Sequence, residues 1–160
     1  HMFIHGNFFH LFFNMFYLWI FGNNIEDELG SFKFLIFYLI GGILAALIQI
    51  IFIENIDISL IGASGAVSAV LGAYLKLYPT APILTLYFFL IFIGLTYIPA
   101  FVFIVFWFLV NVFNLFFDSS SNVAYLAHII GFIYGFLFIN LFYGFFKTKK
   151  YKKRKKYLYN

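Results

Sequence analysis

Two short stretches of this chain hold the residue types of nucleophilic catalysis: Ser64 within Gly62-Ala63-Ser64-Gly65, and His128 within Ala127-His128-Ile129-Ile130-Gly131. A serine hydroxyl is a weak nucleophile until a neighbouring base takes its proton, and a neutral imidazole near pH 7 suits that task. A third stretch runs from His5 to Asn14 and sets His10 and Asn14 four residues apart, on one face of a helix. Attack on a peptide carbonyl builds an oxyanion that needs preorganised donors. The Asn14 amide, a His10 N–H and the Ser64 backbone N–H are the candidates. An acidic third member is not evident: Asp118 precedes the last apolar run, and nothing in the sequence places it beside His128. The expectation is therefore a dyad. Taken singly, each residue also has a structural explanation, since Ser and Gly pack membrane helices and a lone His can bridge two of them.

The elements that must position these residues are membrane spans. Of the 160 residues, 64% are hydrophobic and 10% are charged, far from the balance of soluble domains. Apolar runs occupy roughly 4 to 22, 32 to 53, 60 to 78, 82 to 98, 100 to 117 and 122 to 146, each near the ~18 to 20 residues that cross a bilayer core. Backbone groups in hydrocarbon must bond internally, so each true span is expected to be a helix. One membrane domain, 1–146, is expected, followed by a basic tail, 147–160. The absence of cysteine excludes disulfides and thiolate metal sites, and the opening His1-Met2-Phe3-Ile4 shows no basic n-region or small-residue cleavage site.

Charge orients the spans. The ten basic residues are Lys33, Lys76 and those from Lys147 to Lys156. If 82 to 98 does not cross, all of them fall on one side, which the positive-inside rule makes cytoplasmic. Five spans follow, with 79 to 98 a cytoplasmic-side or partly embedded connection and the C-terminus inside. The tail then anchors the topology near anionic lipid head groups, and nucleic acid is not an expected partner.

This layout also collects the polar residues. Ser64 lies about four residues into its run and His128 about six, roughly 6 and 9 Å at ~1.5 Å per residue, and His10 falls in the same layer. The three spans run inward from the outer face, so the three residues can meet just beneath it. Ser64, Ser68 and Gly72 form a stripe of small residues, with Gly65, Ala69 and Ala73 beside it, and Gly131 and Gly135 answer on the last span. Such faces let two backbones approach closely.

In these motifs the sequence resembles the rhomboid proteases, from His5 to about Phe142. The family's His, four residues, His, three residues, Asn is met by His5, His10 and Asn14, and its Gly-x-Ser-Gly by Gly62, Ser64 and Gly65. Its last-helix Ala-His-x-x-Gly-x-x-x-Gly is met by Ala127, His128, Gly131 and Gly135, and the connection holding Glu26 and Gly30 is similar to the family's as well. The resemblance implies an all-α, polytopic membrane bundle in which Ser64 is nucleophile and His128 general base. It assigns His10 and Asn14 to the oxyanion site, and His5 to a structural role. Family members cut transmembrane substrates near the outer membrane face and need no metal or organic cofactor. The expected setting is the cell membrane. The family's usual first helix and the Trp-Arg loop after it have no counterpart here, which leaves five visible spans. Ser68 stands where many members have an aromatic that supports the base histidine, so the orientation of His128 is less constrained from that side.

A non-enzymatic alternative is a catalytically inactive rhomboid-like protein that binds transmembrane clients. Such relatives usually lack the serine or the histidine, and keeping Ser64, His128, His10 and Asn14 together favours catalysis. A small transporter or channel would need ionisable residues deeper in the bundle or paired broken helices, whereas the acids here lie in loops.

Overall fold

The computed structural model describes residues 1–52, 61–89, 92–118 and 123–144. The expected basic tail and the connections around 54–57 and 119–122 lie outside these residues.

Helix α1 (Phe8–Tyr17) starts where Asn7, in extended backbone, accepts a hydrogen bond from the His10 N–H at 2.8 Å, the usual way an Asx side chain caps a first turn. A π-helical segment, Leu18–Gly22, carries the chain into α2 (Asn23–Leu29), which stops at Gly30 with φ of 80°. Helix α3 (Ser31–Phe52) returns across the bundle. After it come α4 (Ser64–Leu77), strands β1 (Pro82–Phe89) and β2 (Phe92–Pro99), α5 (Ala100–Phe117) and α6 (Tyr125–Gly144). Among the described residues, three helical stretches are long and apolar enough to cross a membrane: Ser31–Phe52, Ala100–Phe117 and Tyr125–Phe142. Their outward faces are strongly apolar, with Phe106 68% and Ile51 73% exposed, as expected of surfaces that meet lipid.

The apolar run expected over 60 to 78 gives a shorter helix than the run suggests. Helix α4 has 14 residues, about 21 Å at ~1.5 Å per residue against a hydrocarbon core of ~30 Å. A helix this short is tolerated because protein surrounds it, and every residue from Gly65 to Tyr74 is buried. Its closest neighbour is α6. A Cβ on Gly131 would run into the Gly65 carbonyl oxygen, one on Gly135 into that of Ala69, and one on Gly72 into that of Phe132. The seam therefore runs along Gly65, Ala69 and Gly72, with the Ser68 side chain at its edge beside Gly131. On the opposite flank, Cβ atoms on Gly41 and Gly42 would press on those of Ala69 and Ala66 at 2.7 and 3.0 Å. With no side chain between them, dispersion contacts form backbone to backbone.

The 82 to 98 run does not cross. It is an antiparallel hairpin in which Pro82 pairs with Pro99 and Phe89 with Phe92. The chain leaves and re-enters the bundle at one point, because the Ala100 N–H donates to the Ala81 carbonyl at 2.8 Å and the Phe101 N–H to that of Pro79 at 2.8 Å. Helices α4 and α5 are thereby antiparallel. The starts of α1, α4 and α6 share one end of the bundle, while Lys33, Lys76 and the hairpin base share the other. At that second end the Tyr78 hydroxyl donates to the Glu28 carboxylate, tying the end of α4 to α2.

Candidate active site

Ser64 is the first residue of α4, not a turn inside it as the length of the run implies. Its backbone N–H and those just after it belong to the first turn, whose donors have no partner within the helix. Such N–H groups, with the positive end of the helix dipole behind them, favour a developing negative charge. The chain enters this position through Gly62, with φ of 106°. A Cβ there would stand 2.6 Å from His10 Nε2 and 3.8 Å from Ser64 Oγ, so glycine is required both by the backbone angle and by the approach of the imidazole.

His128 lies in the first turn of α6. Its Nε2 is 2.7 Å from Ser64 Oγ, and its Nδ1 is 2.7 Å from the Oδ1 of Asn111 on α5. Asn111, 6% exposed, donates its own Nδ2–H to the Trp107 carbonyl at 2.8 Å. Sequence reasoning missed this residue. The signal available was a pair of amides, Asn111 and Asn114, on an otherwise apolar helix, where polar groups are costly and face the interior. The Trp107 ring lies one turn earlier on α5, 6.1 Å from the imidazole, and Tyr125 meets His128 edge-on at 6.4 Å. Ser68 turns its hydroxyl onto the Ser64 carbonyl at 2.6 Å. Asp118 accepts from the Tyr125 hydroxyl at 2.9 Å.

The α1 residues approach from the other side. His10 Nδ1 accepts from the Gly6 N–H at 3.3 Å, which places the ring proton on Nε2, the atom beside Gly62. Asn14, buried to 6% exposure, donates one Nδ2 hydrogen to the His10 carbonyl at 2.8 Å and has a second to give. His5 meets His10 edge-on at 5.2 Å. Gly131 and Gly135 lie in the α4–α6 seam, and a Cβ on Gly65 would also stand 2.8 Å from that of Ala45 on α3.

A serine hydroxyl within hydrogen-bond reach of an imidazole, at the mouth of a helix with unpaired N–H groups, is the equipment of acyl transfer. The fold and these residues define a polytopic helical membrane protein with a serine and a histidine joined across two helices. The family model described as Rhomboid domain matches residues 1–145, and the chain belongs to the rhomboid family. It is 35% identical over 86 residues to "Rhomboid protein 1, mitochondrial" of Saccharomyces cerevisiae, a match covering 51% of this chain and 25% of that protein. It is 42% identical over 65 residues to "Rhomboid-like protein 11, chloroplastic" of Arabidopsis thaliana, covering 41% of this chain and 23% of that one. The matched region thus spans about a quarter of each curated relative's length. No solved structure matches the chain at a significant level.

Proposed function

We propose that the protein is an intramembrane serine protease that hydrolyses peptide bonds of transmembrane substrates near the outer membrane face. The observation that carries this reading is the 2.7 Å approach of His128 Nε2 to Ser64 Oγ, formed between the starts of two parallel helices. In the first half-reaction the Ser64 proton passes to Nε2 as Oγ bonds to the carbonyl carbon. The negative oxygen is met by the Ser64 backbone N–H, the His10 Nε2–H and the second Asn14 hydrogen. Collapse breaks the C–N bond, the amine leaves with the proton from His128, and water then releases the acyl group by the same route in reverse. A substrate helix must first unwind locally, because its carbonyls are engaged in intrahelical bonds.

Lys33 and Lys76 stand at the end away from Ser64, the end at which α6 closes. By the positive-inside rule that end is cytoplasmic and Ser64 faces outward. The cell membrane is the proposed setting, with the 147–160 tail at anionic head groups.

The test is incubation of the purified protein, in detergent or liposomes, with a substrate carrying one transmembrane helix, alongside Ser64→Ala and His128→Ala. Cleavage by the parent and loss in both folded variants is the expected result. A folded parent that binds the substrate and leaves it intact overturns the reading in favour of a client-binding relative.

A further inference from the structure

Which proton the His128 ring carries decides whether Ser64 has a base. An imidazole that holds its proton on Nε2 can only donate toward Ser64 Oγ and cannot accept from it. The environment of Nδ1 settles the matter, and that environment is Asn111. Its amide has one arrangement consistent with its neighbours. The Trp107 carbonyl, 2.8 Å away, can only accept, so it must face the Nδ2 hydrogens. The amide oxygen then faces His128 Nδ1 at 2.7 Å. An amide oxygen can only accept in turn, so Nδ1 carries the hydrogen and Nε2 presents its lone pair to Ser64.

We infer that Asn111 is a positioning residue that fixes the tautomer and ring plane of His128. The inference rests on the protease reading of Ser64 and His128 and extends it from a pair to a relay of α4, α6 and α5. The choice of an amide follows from the setting. A carboxylate would orient the ring equally well but would place a charge at membrane depth, where ionised groups are expensive. A neutral carbonyl dipole supplies the acceptor without that penalty, and Asn serves the same purpose in the Cys-His-Asn arrangement of papain-like proteases. Helix α5 further supports the ring through Trp107, while the α4 residue one turn beyond the serine, Ser68, donates its hydroxyl to the Ser64 carbonyl.

The experiment is nitrogen NMR of the full chain labelled with 15N-histidine in detergent, for the parent, Asn111→Leu and Asn111→Ala, with the substrate kinetics beside it. The expected parent spectrum assigns His128 a protonated Nδ1. Both variants populate the Nε2-protonated form, and kcat falls on the order of 100-fold at similar KM, as for other misplaced catalytic groups. A parent spectrum with the proton on Nε2 overturns the inference, and so does a parent-like tautomer and kcat in the folded variants. The parent tautomer decides the case even if both variants fail to fold. A parent that cleaves nothing, yet shows the Nδ1-protonated ring that Asn111→Leu abolishes, sinks the protease reading and leaves the positioning role standing.

Discussion

Gln49 on α3 and Ala127 on α6, 78 residues apart, are joined by a hydrogen bond in which the Ala127 backbone N–H donates to Gln49 Oε1 at 2.9 Å. Ala127 precedes His128 and lies in the first turn of α6, so its N–H would otherwise be one of the unpaired donors of a helix start. Replacing Gln49 with Leu removes the acceptor and strands the donor among apolar groups, a loss of about 1–3 kcal/mol. Reversible unfolding in mixed micelles should show that loss, together with a lower kcat as the start of α6 loosens. Unchanged stability and turnover in Gln49→Leu would mean the contact contributes nothing.

The seam between α4 and α6 makes a steric prediction. In Gly135→Ala the new Cβ meets the Ala69 carbonyl oxygen, so the helices must separate, with a destabilisation of about 1–3 kcal/mol from overpacking. Gly30→Ala is the control for a site without neighbours, since nothing lies within 4 Å of a Cβ there and only its φ of 80° is strained. The unfolding midpoint should fall further for Gly135→Ala, with loss of activity following. Equal or reversed effects would remove the seam from the account.

At Gly62 a substitution acts on the site more than on the fold. Gly62→Ala forces an L-residue into positive φ, costing about 1–2 kcal/mol, and pushes a methyl group to 2.6 Å from His10 Nε2. Labelling of Ser64 by a fluorophosphonate should slow by at least tenfold, a displacement effect on the oxyanion donors. Labelling at the parent rate would show that His10 has no part in stabilising the oxyanion.

Because Ala81 and Ala100 are already joined by a backbone hydrogen bond at 2.8 Å, the β1–β2 hairpin closes a gap that a very short linker spans. A chain with residues 82–99 replaced by two to four glycines should fold and label at Ser64 at close to the parent rate, as loop length alone has a small entropic effect. Collapse of the fold would show instead that the strands brace the bundle.

Much of this was legible in the sequence, and the parts that were not have a common cause. The charges at Lys76 and from Lys147 to Lys156, placed on one side by the positive-inside rule, favoured a layout in which 82 to 98 does not cross, but did not show what it forms. Its Ile, Leu, Thr, Tyr and Phe residues between Pro82 and Pro99 suit a strand, yet a short apolar run carries no period that separates a strand from a buried helix. The polar residues near Ser64 and His128 drew attention because they sit in compact motifs. Asn111, with Asn114 three residues on, and Gln49 are amides outside any motif, whose meaning depends on which faces of α5 and α3 turn toward the start of α6, a tertiary fact. The start of α4 was misplaced because the apolar run extends ahead of Ser64, through residues whose composition resembles a helix while Gly62 turns the chain.

The shortness of α4 bears on how the protein responds to its lipid. A span about 9 Å shorter than the ~30 Å hydrocarbon layer would ordinarily thin the bilayer or tilt its neighbours. Here ten consecutive buried residues keep lipid away from α4, so hydrophobic mismatch is felt by α3, α5 and α6 instead. Acyl-chain length then acts on Ser64 only through the helices that carry Gln49, Asn111 and His128. Ser64 is thereby shielded from membrane thickness, while α3, α5 and α6, whose outward faces are apolar and exposed, meet it directly.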